Sequence, residues 1–229
     1  MSIRENIEII RENIQKSCQR SGRNPADVLL LAVTKYVDTG RIREALDAGI
    51  TDVGENHAQE VREKLSFFKQ NVCNLHFIGH LQTNKIKYVC GEAGLIQSVD
   101  SLNLAEQIEK RAAALDTVQD ILIQVNIGEE IQKSGISEPD TQELIDRIAP
   151  LTHIRFRGLM CVPPAMEPEQ VRPYFAEMKR LFDRVKEAYP ELPVTELSMG
   201  MSHDYAVAVE EGATIIRVGS AIFGARDRK

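Results

Sequence analysis

Three features of the sequence have residue types that could do chemistry together. The first is the run Val28-Leu29-Leu30-Leu31-Ala32-Val33-Thr34-Lys35, an apolar segment that ends in a lysine. A lysine leaving an apolar floor is desolvated, its pKa falls, and the free amine can condense with an aldehyde. A solvated lysine opening a loop is the plain alternative. The second feature is a pair of late segments, Leu197-Ser198-Met199-Gly200-Met201-Ser202 and Arg217-Val218-Gly219-Ser220-Ala221-Ile222-Phe223-Gly224. Small residues let backbone N–H groups approach an anion and hydroxyls add donors, so Ser198, Gly219 and Ser220 are candidate phosphate contacts, with Met199 in the same set. Turn glycines and helix-capping serines account for the same residues. The third feature is Arg217, which can only donate, so any ring nitrogen it meets must accept. A wall arginine paired with a carboxylate competes with that reading.

An amine for an aldehyde, a cradle for a phosphate and a donor for a pyridine nitrogen together describe pyridoxal phosphate. Two further segments, Gly54-Glu55-Asn56-His57 and His76-Phe77-Ile78-Gly79-His80-Leu81-Gln82-Thr83-Asn84-Lys85, put small and amide-bearing residues where such a ligand would lie. His76 and His80 stand four apart, but a strand position for one and a loop position for the other cannot converge on a metal. No metal site is expected.

The elements that must position these residues follow from periodicity. Short β-branched apolar runs recur at Val28–Val33, Asp52–Glu55, Leu75–Gly79, Gly94–Val99, Asp120–Asn126, Ile154–Leu159, Val194–Met199 and Thr214–Gly219, with amphipathic stretches between them. Eight such runs, each apolar enough to be covered on both faces, predict an α/β fold, a single (β/α)8 TIM barrel. No GxGxxG follows the first run, so a dinucleotide-binding sheet is disfavoured. An extra N-terminal helix is predicted from Ile3, Ile7, Ile10, Ile14 and Cys18, which keep the spacing of one buried stripe. Val171, Phe175, Met178, Phe182 and Val185 repeat that spacing and predict a helix starting near Arg172, with Pro173 in its first turn. In such a barrel the chemistry sits where strands end.

Composition excludes other classes. With 229 residues, 43% apolar, 28 Lys+Arg against 34 Asp+Glu and a net charge of −6, the chain reads as an ordinary globular protein with one domain over 1–229. The acid excess, the absence of Trp and 5% aromatics argue against nucleic-acid binding. Without an apolar run of about 18 residues or a secretory signal, neither a membrane span nor export is expected, and the cytoplasm is the expected location. The cysteines Cys18, Cys73, Cys90 and Cys161 form no CxxC pair and read as buried or incidental thiols. A closed barrel has no free sheet edge, and with no heptad pattern a monomer is expected.

Val33-Thr34-Lys35, Gly54-Glu55-Asn56, the segment His76 to Lys85, Leu197 to Ser202 and Arg217 to Gly224 together closely resemble the pyridoxal phosphate homeostasis protein family, in order and across nearly the whole chain. The resemblance implies a barrel similar to the N-terminal domain of bacterial alanine racemase, with the cofactor held as a Schiff base on Lys35. It also implies Arg217 at the ring nitrogen and phosphate contacts from Ser198, Gly219 and Ser220. Asn56 and His80 match family positions near the cofactor. The family implies a carrier or regulator of vitamin B6 balance with no accepted reaction, whose partners would include apo-enzymes that use the cofactor. An arginine at the ring nitrogen supports this, because it disfavours the pyridinium that serves carbanion chemistry as an electron sink. An amino-acid racemase of narrow range is the alternative, but racemisation needs a base on each face. Eight βα units are expected to fill the chain and leave no room for the second domain from which such a racemase takes a tyrosine. Tyr36 and Tyr205, near the motifs, read as packing or rim residues. A cofactor-free Schiff-base aldolase and a purely structural module are the remaining readings.

Overall fold

A computed structural model describes residues 1–128 and 134–224. The strands are β1 (Leu29–Val33), β2 (Asp52–Glu55), β3 (Asn74–Phe77), β4 (Leu95–Val99), β5 (Gln119–Val125), β6 (Ile154–Cys161), β7 (Glu196–Met201) and β8 (Ile215–Val218). All pair in parallel in sequence order, and β8 returns to β1 through Leu31 opposite Arg217, closing the barrel. The expected (β/α)8 architecture is the one observed. The helices are α1 (Ile3–Ser21), α2 (Thr39–Asp47), α3 (Ala58–Gln70), α4 (Leu102–Ala114), α5 (Glu138–Ile148), α6 (Pro168–Ala188), α7 (Tyr205–Glu210) and α8 (Ser220–Phe223). None of them is long and apolar enough to cross a membrane.

Strand alternation divides the core in two. Leu31, Leu95, Leu122, Met160 and Ile215 fill the barrel interior, while residues of opposite parity such as Ala32, Val53, Ile96 and Met199 pack against the helices. Gly158, at φ +145°, permits the closest strand approach: a Cβ there would lie 1.9 Å from the Glu196 carbonyl oxygen, so only glycine fits between β6 and β7.

Helix α1 opens with Ser2 and Glu5 capping each other and buries Ile3, Ile7, Ile10, Ile14 and Cys18, the expected stripe. Each buried isoleucine contributes at most about 1.5–3 kcal/mol. Asn6 Nδ2 donates to the Ile222 carbonyl (2.9 Å) and Asn13 Nδ2 to the Tyr205 hydroxyl (2.9 Å), so α1 braces α7 and α8, the elements after β7 and β8.

Three elements depart from expectation. Helix α6 begins at Pro168, with a box between Glu167 and Gln170, and not near Arg172. Pro168 is therefore the proline of the first turn, and Pro173 lies inside the helix. The connection from β3 to β4 is a 3-10 segment, Thr83–Tyr88, where an α-helix would complete the repeat. Strand β7 runs two residues beyond the expected end, because Gly200 at φ +89° lets Met201 pair with Arg217.

Candidate functional site

Lys35 lies two residues beyond β1, half-buried, in a turn whose next residue, Tyr36, has φ +58°. That left-handed conformation costs a non-glycine residue about 1–2 kcal/mol, so the surroundings must impose it. They do so from α3. Lys64 Nζ donates to the Thr34 carbonyl (2.9 Å), to Glu55 Oε1 (2.9 Å) and to Glu60 Oε2 (2.7 Å), and Glu60 Oε2 also accepts the Tyr36 N–H (2.8 Å). Thr34 Oγ1 donates to Glu55 Oε1 at 2.7 Å. The peptide groups on both sides of Lys35 are thus held by one cluster. Glu55 is fully buried, and burial raises its carboxyl above the ordinary range although Lys64 and Thr34 oppose the shift. Its Oε2, like Glu60 Oε1, is buried without a hydrogen-bond partner among the described residues. Glu60 and Lys64 stand i,i+4 on α3. Only the fold brings Glu55 between them.

On the inward face a second network crosses the barrel. Arg217, 4% exposed, donates from Nη1 to Ser198 Oγ (2.7 Å) and from Nη2 to the Cys161 carbonyl (2.8 Å). Among the described residues no ion pair reaches it, so the carboxylate-paired wall arginine is not what the structure contains. Ser198 Oγ donates to Gln97 Oε1 (2.6 Å), Gln97 Nε2 lies 3.0 Å from His76 Nδ1, and His76 Nε2 lies 3.1 Å from Asp52 Oδ1. Thr51 Oγ1 donates to Asp52 Oδ2 at 2.6 Å. Burial raises the Asp52 carboxyl, but hydrogen bonds from His76 and Thr51 outweigh it and hold the group below its ordinary range. Cys161 supplies no counter-charge: burial pushes its thiol up to about 12.

Two of the expected contact residues have their side chains engaged away from the mouth. The Ser198 hydroxyl donates to Gln97 inside the barrel, so its proton is not available to a phosphate at the mouth. Met199, of opposite parity, is fully buried among apolar side chains between the sheet and the helices, so its side chain offers a ligand nothing. The residue overlooked is Ser202. Its Oγ accepts the N–H groups of Gly219 (3.1 Å) and Ala221 (3.2 Å), tying the loop after β7 to the turn after β8. Two accepted bonds leave the Ser202 proton free to donate. Ser220 is exposed in the same turn. The signal for Ser202 was present, a hydroxyl four residues after Ser198 in the same segment.

At the ends of β2 and β3 the loops are packed together, since a Cβ on Gly79 would lie 2.0 Å from the Asn56 carbonyl oxygen. Asn56 Oδ1 is buried there with no partner, and His80 is exposed beside it in sequence. The Tyr36 ring meets His57 at 5.2 Å on the rim, whereas Tyr205 is buried against α1. Among the described residues no cluster of three or more His, Cys, Asp or Glu could hold a metal.

A closed eight-stranded barrel with a lysine turn after the first strand and an arginine on the last defines a class. The family described as alanine racemase, N-terminal domain, matches residues 6–227. A pyridoxal phosphate homeostasis protein of Aquifex aeolicus (strain VF5) is 44% identical over 227 residues, 99% of each chain. The chain belongs to the pyridoxal phosphate homeostasis protein family. The structure of PipY of Synechococcus elongatus PCC7942, with PLP bound, is similar at a TM-score of 0.85 and 31% identity, covering 97% of this chain and 100% of that one. Alanine racemase of Clostridium difficile 630, in complex with cycloserine, shares the fold at a TM-score of 0.72 and 16% identity, covering 100% of this chain and 60% of its own.

Proposed function

We propose that this protein binds pyridoxal 5'-phosphate covalently through Lys35 Nζ at the C-terminal mouth of the barrel and carries it as part of intracellular vitamin B6 homeostasis. The observation that carries the reading is closure: β8 pairs with β1, so the lysine turn near the start of the chain and the Arg217–Ser220 segment near its end belong to neighbouring strands. Residues of this chain suit the group. The free Ser202 proton, with Gly219 and Ser220 beside it, suits a phosphate; the unpartnered Asn56 Oδ1 and exposed His80 border the opposite loops.

When bound, the cofactor supplies an electrophilic carbonyl carbon and an electron-withdrawing ring. The protein's own part is to hold Lys35 by its flanking peptide groups, to direct Ser202, Gly219 and Ser220 at the phosphate, and to direct Arg217 at the ring nitrogen. Because a guanidinium keeps its protons, that nitrogen must accept and stay unprotonated, which favours storage and delivery over carbanion chemistry. The protein would act as a monomer in the cytoplasm, where its four unpaired thiols stay reduced, and hand the cofactor to apo-enzymes that require it.

Incubation with pyridoxal phosphate should give visible absorbance that borohydride fixes to the Lys35 peptide by mass, and Lys35→Ala should lose both. A wild-type protein that stays colourless would overturn the reading.

A further inference from the structure

The chain of contacts behind Arg217 has a direction, and elementary hydrogen-bond counting determines it. Arg217 Nη1 can only donate, so Ser198 Oγ accepts and its single proton goes to Gln97 Oε1. With its oxygen accepting, Gln97 presents its amide N–H to His76 Nδ1, which must then be unprotonated. The remaining ring proton is on Nε2 and is donated to Asp52 Oδ1. Every donor along this chain therefore points the same way, from a cation on β8 to an acceptor on β2, through residues of β7, β4 and β3. All five residues, Asp52, His76, Gln97, Ser198 and Arg217, are buried polar groups that an apolar barrel would not need for packing. Reversing one link would face two donors or two acceptors, so no member can turn alone.

We propose that Gln97, His76 and Asp52 are positioning residues which, through Ser198, lock the orientation of Arg217 and so keep one N–H edge of its guanidinium aimed at a pyridine-type acceptor in the barrel mouth. The proposal rests on the cofactor reading above. Asp52 acts here as the final acceptor. Asp204, buried and accepting the Met201 N–H at 2.6 Å, is the carboxylate whose field reaches Arg217. Asp204 lies on the β7–α7 loop and is not part of the relay.

The first test needs no ligand. Ring 15N and 13C NMR of wild-type protein at neutral pH should show His76 as the neutral Nε2–H tautomer; an Nδ1–H tautomer or an imidazolium overturns the chain. The second uses pyridoxal phosphate labelled with 15N in its ring. Gln97→Leu, which cuts the relay in the middle, should raise the Kd about ten-fold, the size of one charge-assisted hydrogen bond, and move the ring nitrogen toward the shift of an unbonded pyridine. Asp52→Leu, which removes the acceptor of the Nε2 proton, should move the Kd and the shift in the same direction as Gln97→Leu, and Asp52→Asn, which keeps an oxygen to accept from Nε2, should move them less than Asp52→Leu; a Leu variant that moves neither overturns the role of Asp52. If Gln97→Leu lowers stability but changes neither Kd nor shift, the chain is merely structural and the proposal fails while the cofactor reading stands. If the wild-type protein does not bind the cofactor, both fail together.

Discussion

Asp52 and Glu55 lie three residues apart on one short strand, both buried, and their carboxyl groups titrate in opposite directions from their ordinary values. Asp52 points into the barrel and Glu55 toward α3, as strand alternation requires. Among the described residues the inner carboxylate has no lysine or arginine partner, yet it is stabilised as an anion, because both of its oxygens receive donors, from His76 and Thr51. The outer one has an ammonium at 2.9 Å and is still held toward its neutral form, because it is the more deeply buried and one of its oxygens receives nothing. In a dry interior, donors on each oxygen count for more than one nearby opposite charge. The same contrast separates the two networks of the site: a charge-dense clamp behind Lys35, and a relay of mostly neutral groups behind Arg217.

The sharpest way to break the contrast is to remove the cation of the clamp. Lys64→Met leaves the buried Glu55 and the half-buried Glu60, each with an unpartnered oxygen among the described residues, without the cation between them, and should cost about 3–5 kcal/mol in denaturant unfolding. Adding Glu55→Gln to that variant should recover part of the loss. Gln97→Leu removes no charge and should cost less, about 1–3 kcal/mol, by stranding the Ser198 proton and His76 Nδ1. A Gln97→Leu cost equal to that of Lys64→Met would erase the distinction between the two networks.

The smallest effects are in the pH dependence of stability, where the two carboxylates should have opposite signs. The depressed Asp52 contributes stability that is present above its unfolded value of 3.8 and is lost as pH falls through its lower folded value. The raised Glu55 contributes stability that is present below 4.5 and is lost as pH rises through its higher folded value. Compared with wild type, Asp52→Asn should therefore flatten the acid-side decline, and Glu55→Gln should flatten the decline above pH 4.5. Urea unfolding across the acid range measures both slopes; slopes of the same sign would refute the assignment.

Much of this molecule was legible beforehand because strand and helix periodicities are local. The eight runs, the α1 stripe, the lysine after β1 and the arginine in β8 all stand at or near their expected places. What the segment Leu197 to Ser202 does not state is parity: Ser198 and Met199 are neighbours on a strand and face opposite sides, the Ser198 hydroxyl meeting Gln97 inside the barrel and the Met199 side chain packing between sheet and helices. Ser202, one of the same segment, became notable only when the turn after β8 was seen to hang from its hydroxyl. The early start of α6 was hidden because either Pro168 or Pro173 could occupy a first turn.

The sequence by itself determined that there would be eight covered parallel strands, which residues carry reactive groups, and that Arg217 could act only as a donor. The tertiary structure alone decided what each polar residue meets. Ser198 finds Gln97 across 101 residues of sequence, and β8 finds β1 from the other end of the chain. Such partners are chosen by barrel closure and register, which depend on all eight strands at once. A single strand's pattern states which residues share a face, and the assembled barrel determines what that face will see.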